Sequence, residues 1–271
     1  MKMCRLLPLL LGLCLSACMA TPPLRDRAHR LDGTILTLPA GSFDLRAILH
    51  CPAPGPEPLL VFLEGDGRAW RGRTSPSDDP TPVDDTVIQV MAAMDSPCAA
   101  YLARPCQYGV PGRGCDPRYW TSHRFAPEVI AAMGQAVDGL KRATGHKSVV
   151  LIGYSGGGAV AALLAARRRD VVGLVTLAGV LDHTAWTRHH GVSPLDGSLN
   201  PVDVAPALGN VPQLHLQGGA DGTVPPETTE DFFASLPVGS NVTRLTLSGT
   251  RHGGPWAAPL IRHLPKWVGP G

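Results

Sequence analysis

The chain has 271 residues, with 24 lysines and arginines against 22 aspartates and glutamates, and 44% of its residues are apolar. This is the balance of a folded globular protein and excludes a disordered chain. A net charge of only +2 also excludes the clustered basic excess of a nucleic-acid binder.

At the N-terminus, Lys2 and Arg5 precede an apolar run of twelve residues, Leu6 to Ala17. A membrane-spanning helix needs about 20 apolar residues, whereas a run of this length is that of a secretory signal. Its end, Leu15-Ser16-Ala17-Cys18, resembles the lipobox of bacterial lipoproteins. The resemblance implies cleavage before Cys18 and acylation of that residue, with an ordinary signal peptide as the alternative. Met19 in place of Asp after the cysteine implies the outer membrane, facing the periplasm or the cell surface. The expected organisation is a signal peptide over 1–17, a lipidated tether over 18–32 and one domain over 33–271. Loss of Lys2 and Arg5 leaves 22 basic against 22 acidic side chains, so attachment rests on lipid and not on charge. In an oxidising compartment Cys51, Cys98, Cys106 and Cys115 have three possible pairings. The tight Gly- and Pro-rich loop between them favours Cys106–Cys115, which leaves Cys51–Cys98. No C-x-x-C pair suggests a metal site.

Thr34–Leu38 and Phe43–Cys51 flank Pro39-Ala40-Gly41-Ser42 as a β-hairpin. Leu59–Leu63 is continuously apolar, as in a strand covered on both faces. Residues 64–125 read as irregular, with a short strand near Ala99–Ala103. The acidic stretch Asp78, Asp79, Asp84 and Asp85 reads there as solvated loop. Pro127–Ala143 has helical periodicity and proline at its first position. Ser148–Ile152, Val171–Leu177, Gln213–Gln217 and Val242–Leu247 read as further strands, and Gly156–Arg169 as a helix. Alternating strands and helices predict one α/β domain with a mostly parallel sheet and helices on both faces.

Gly153-Tyr154-Ser155-Gly156-Gly157 lies between a strand and a helix, the context that G-x-S-x-G requires. Side chains two before and two after the serine would clash in so sharp a turn, and the helix N-terminus favours negative charge beside Ser155. Gly156-Gly157-Gly158-Ala159-Val160-Ala161 also fits a dinucleotide-binding pattern, but the next strand ends in Thr176-Leu177-Ala178-Gly179 without the acid that would hold a ribose. No cofactor is expected. Asp221 and His252 each lie just past a later strand.

Ser155, Asp221 and His252, in that order and each after its own strand, resemble the α/β-hydrolase superfamily across about residues 33–268. The resemblance implies a serine nucleophile, a histidine base and an aspartate that orients it, acting on carboxylic esters through an acyl-enzyme. Asp182 is a rival acid after the preceding strand. The expected oxyanion donors are the N–H groups of Gly156 and Asp66, since Glu64-Gly65-Asp66-Gly67 stands where relatives carry His-Gly-x-Gly. The Asp66 carboxylate must then turn away or meet a cation such as Arg68. Residues 179–212 lack a long amphipathic helix, so the cap is small or absent, and Trp70, Trp120 and Trp186 are candidate pocket walls. His215 reads as a core residue. The implied partner is a small ester or acyl substrate of a monomer held to the membrane through Cys18. A peptidase or amidase of the same fold, or a surface-anchored binding protein without turnover, are the alternatives.

Overall fold

The computed structural model describes residues 23–264 apart from 73 and 110. The signal segment, with Cys4, Cys14 and the acylation candidate Cys18, lies outside the described residues. Among those residues no helix is long and apolar enough to cross a membrane.

Eight strands form one sheet: β1 (Thr34–Ala40), β2 (Phe43–His50), β3 (Leu59–Leu63), β4 (Ala99–Leu102), β5 (Val149–Tyr154), β6 (Val171–Leu177), β7 (Gln213–Gly218) and β8 (Val242–Leu247). Their order is β1-β2-β4-β3-β5-β6-β7-β8. β1/β2 and β2/β4 are antiparallel and every later pair is parallel. The continuous apolar runs explain the two-sided cover. In β3, Leu59, Val61 and Leu63 face one core, while Leu60 and Phe62 face the other. Helices α3 (Pro127–Thr144) and α4 (Gly156–Ala165) fill the first face. Helices α1 (Leu24–Arg30), α2 (Thr86–Met94) and α8 (Ala257–His263) fill the second. The cap region carries the short helices α5 (His183–His190) and α6 (Pro201–Val204) and a 3-10 turn over Ala205–Leu208, and α7 (Glu230–Ala234) follows β7.

Several boundaries differ from the sequence expectation. β1 runs on through Pro39 and Ala40, so the hairpin turns on Gly41 and Ser42 alone. β5 continues to Tyr154 and delivers the serine directly from the strand. α4 stops at Ala165, and Arg168 beyond its end pairs with Asp138 and Asp170, both at 2.7 Å. The segment expected to be irregular contains α2, nine residues with Asp95 in the left-handed conformation at its C-cap. Cys51 stands with Cys98, and Cys106 with Cys115, at disulfide distance.

The segment expected as a tether over 18–32 is described only from residue 23, and nearly half of it is a helix whose Leu24 and Ala28, with Leu31 just beyond, are buried against the sheet. Arg27 lies fully buried among them. Its guanidinium donates to Asp85 at 2.5 Å, to the carbonyls of Pro82 and Asp84 at 3.0 and 2.7 Å, and to the Tyr108 hydroxyl. Asp85 also accepts from Arg30 at 2.7 Å, so this part of the acidic stretch is an ion-pair site and not solvated loop. Asp79 likewise turns inward to accept from Thr81, whereas Asp78 stays at the surface.

Removing one partner of a buried pair leaves the other charge desolvated. Arg27→Ala is therefore expected to lower the unfolding free energy by about 3 kcal/mol in urea denaturation. Arg25→Ala, at a side chain 87% exposed, is expected to stay within about 0.5 kcal/mol of the wild type.

Candidate active site

Ser155 sits between β5 and α4 with φ +52° and ψ −122°, a conformation that side chains rarely adopt. Its N–H donates to the Leu177 carbonyl at 2.9 Å, and its own carbonyl accepts from Gly158 at 2.9 Å and Val180 at 3.1 Å. A Cβ at Gly153 would strike the Gly157 carbonyl, and one at Gly157 would strike that of Leu63. The glycines two before and two after the serine are thus required by close approach of backbone.

The structure brings the three residues of the sequence pattern together. His252 Nδ1 lies 2.8 Å from Asp221 Oδ2, and Nε2 lies 3.1 Å from Ser155 Oγ. An ionised carboxylate only accepts, so Nδ1 carries the proton, Nε2 of the neutral ring accepts, and the serine hydroxyl donates. The other Asp221 oxygen accepts from the N–H groups of Thr223 at 2.8 Å and Val224 at 2.9 Å. Burial pushes the Asp221 carboxyl up, but the hydrogen bonds from His252 and Val224 outweigh it and hold the group below the usual carboxylate range. Asp182 is occupied elsewhere. It caps α5 by accepting from Thr184 and Ala185 and also accepts from Asn200 at 2.8 Å.

The N–H groups of Gly156 and Asp66 have no protein hydrogen-bond partner among the described residues. The Asp66 carboxylate packs directly against Gly156, where a Cβ would overlap it. Its cations are Arg124, at 2.7 Å, and Arg104, at 3.2 Å, and not Arg68. Arg68 is instead drawn by its backbone N–H to the Pro80 carbonyl at 3.0 Å. Burial raises the Asp66 carboxyl, yet the two guanidinium charges more than offset this and its pKa falls below normal. Two arginines and one aspartate leave this buried group with one net positive charge beside the serine.

Four residues beside the site escaped the sequence reading. Tyr154 packs its ring 5.1 Å from that of His252 and donates its hydroxyl to the His252 carbonyl at 3.2 Å. Trp256, buried, donates its indole N–H to the same carbonyl at 2.9 Å. Gln107 holds the loop after β3 by donating to the Gly65 carbonyl at 2.9 Å. Glu64, 3% exposed, accepts from Gly65 N–H at 2.9 Å and from the Tyr101 hydroxyl at 2.7 Å. The Tyr101 hydroxyl lies 3.1 Å from that of Tyr108, which Arg27 reaches from α1. A signal existed for Tyr154, as the variable residue of G-x-S-x-G, and for Glu64, as the first residue of Glu64-Gly65-Asp66-Gly67. Of the candidate walls, Trp70 and Trp186 line the cavity over Ser155, about 430 Å³ in volume. Trp120 is buried and donates to the Ser77 carbonyl. His215 is a core residue, 2.8 Å from the Thr176 hydroxyl.

Burial pushes the Glu64 carboxyl up to about 7, against the pull of the Tyr101 and Gly65 hydrogen bonds. An acid raised in the native state holds its proton there after the unfolded chain has released it. The stability contributed by Glu64 therefore falls as pH rises from about 4.5 to about 7 and is level above that. Glu64→Gln removes this loss, so its urea midpoint is expected to drop less than that of the wild type between about pH 5 and pH 8.

No known family profile and no curated protein matches this sequence. Solved structures do match it. Est1E from Butyrivibrio proteoclasticus is 17% identical with a TM-score of 0.58, covering 84% of this chain and 93% of its own. A putative dienelactone hydrolase from Klebsiella pneumoniae is 19% identical with a TM-score of 0.59, covering 81% and 86%. XC6422 from Xanthomonas campestris, described as an α/β serine hydrolase without lid, is 16% identical with a TM-score of 0.52, covering 82% and 86%. With the eight-stranded sheet and its helices, these likenesses show that the chain has the α/β-hydrolase fold.

Proposed function

We propose that this protein is a serine hydrolase that cleaves carboxylic esters through an acyl-enzyme. The observation that carries the reading is the chain of hydrogen bonds from Ser155 Oγ through His252 to Asp221, at 3.1 and 2.8 Å. Ser155 Oγ attacks the ester carbonyl carbon as His252 Nε2 takes its proton. The carbonyl π electrons move to oxygen, where the N–H groups of Gly156 and Asp66 receive the negative charge. The tetrahedral intermediate collapses, the C–O bond to the alcohol breaks, and His252 returns the proton to the leaving oxygen. Water then attacks the acyl-serine with His252 again as base, which releases the carboxylic acid and restores Ser155. Asp221 fixes the tautomer and stabilises the imidazolium. The net positive charge of Arg104, Arg124 and Asp66 favours the developing oxyanion. That several structural neighbours are described as an esterase or a hydrolase supports the same reaction class.

A fluorophosphonate probe is expected to label the wild type and not Ser155→Ala. Ester turnover is expected to fall at least about a thousandfold in that variant. Absence of Ser155-dependent label would overturn the hydrolase reading in favour of a binding protein without turnover. An aminoacyl amide cleaved faster than the matching ester would replace esterase by amidase.

The same proposal carries the lipid anchor on Cys18 and an outer-membrane location, supported by the lipobox-like Leu15-Ser16-Ala17-Cys18. Cells fed radiolabelled palmitate are expected to incorporate label into the wild type and not into Cys18→Ser; equal incorporation would remove the anchor.

A further inference from the structure

The cavity over Ser155 does not end at the serine. Trp70, Arg124 and Trp186 line it and also line a second cavity, again of about 430 Å³, that continues to Val192, Pro194 and Leu195. Hydrogen bonds fix the side chains of Arg124 and Trp186 and the segment that carries Trp70. Trp70 stands on a flap closed by hydrogen bonds of 2.9 Å, from Arg71 N–H to Ser75 and from Ser77 N–H to Ala69. Trp70 is nevertheless 41% exposed, a large apolar residue only partly covered by protein. Trp186 donates its indole N–H to the Thr223 carbonyl at 2.7 Å, which fixes the ring plane beside the loop that carries Asp221. The Arg124 guanidinium lies 5.8 Å from the Trp186 ring. Its Nε donates to Thr121 at 2.8 Å and its Nη1 to Asp66 at 2.7 Å, while Nη2 has no protein partner among the described residues.

We infer that this continuation of the cleft is an aryl-binding subsite, which takes an aromatic ring on the non-reacting part of the ester. The inference rests on the ester-hydrolase reading above. Two indoles and a guanidinium are flat, and a flat ring meets such faces by stacking and cation–π contact that an alkyl chain of equal area does not obtain. The three walls shared with the Ser155 cavity make the occupant part of the substrate. A cavity of about 150 Å³ holds benzene, so the space beyond Trp70 and Trp186 has room for a substituted ring.

The test compares kcat/KM for ethyl acetate, ethyl hexanoate, ethyl 3-phenylpropionate and 2-phenylethyl acetate, the last two carrying the ring on the acyl and alcohol sides. One aryl ester is expected to exceed ethyl hexanoate by about tenfold. That ratio is expected to collapse in Trp70→Ala through KM, and to persist largely in Trp70→Phe. Because Trp70 is partly exposed, its truncation leaves folding intact, which a urea midpoint equal to the wild type would verify. A wild type that cleaves ethyl acetate with no aryl preference, or a ratio unchanged in Trp70→Ala, overturns the subsite and leaves the hydrolase reading standing. Titration of Ser155→Ala with ethyl 3-phenylpropionate, read by tryptophan emission, separates the opposite case. Saturable quenching that is lost on adding Trp70→Ala, with no turnover of any ester by the wild type, upholds the subsite and overturns the hydrolase reading.

Discussion

The turn at Ser155 forces one residue into φ +52°, a conformation that costs on the order of 1–3 kcal/mol. It survives because the backbone around it has no alternative. The serine N–H is taken by β6, its carbonyl by Gly158 and Val180, and the glycines on either side let the ends of β3 and β5 close over it. The central position of β5 in the sheet, between β3 and β6, supplies these partners. A strand at the edge would lack one of them. Everything else at the site is arranged with respect to a hydroxyl whose position the backbone alone has determined.

The second constraint is charge. A carboxylate beside an expected oxyanion site works against any intermediate that forms there, and Asp66 stands directly against Gly156. The fold answers with two guanidinium groups from the segment between β4 and α3, each bound to one carboxylate oxygen. Arg104 precedes Cys106, whose bond to Cys115 closes the loop beside it. The Cys-rich segment is therefore part of the electrostatics of the serine and not only a brace. Arg124 also forms one wall of the cleft, so one side chain joins charge balance to the shape of the pocket.

Strands buried on both faces were legible in the sequence because continuous apolar runs such as Leu59–Leu63 have few other uses. Ser155, Asp221 and His252 were legible because each follows a stretch that reads as a strand. The pairs that shape the surroundings were not. Arg104 and Arg124 lie 38 and 58 positions from Asp66, and nothing local in either stretch points to the other. Helix α2 was hidden by its brevity and by apolar residues on most sides, which erase the helical period. Helix α1 did leave a trace, in Leu24, Ala28 and Leu31 at helical spacing. The polar residues between them, and the expectation of a tether, outweighed it. The buried Glu64–Tyr101 pair replaces the histidine that the resemblance leads one to expect, and a substitution of that kind shows its meaning only once the partner is in place.

Helix α1 also sets a length. Through Arg27 it grips the carbonyls of Pro82 and Asp84, residues that line the cavity over Ser155. Only six peptide steps lead from Cys18 to Leu24, a span of at most about 22 Å when fully extended. A domain of about 250 residues has a radius of gyration of about 18 Å. On the proposed anchor, the protein would thus be moored by a leash of about its own radius, fastened to the helix that holds Pro82 and Asp84. Its working volume would be the layer of molecules next to the bilayer, and its orientation there would be a property of the fold.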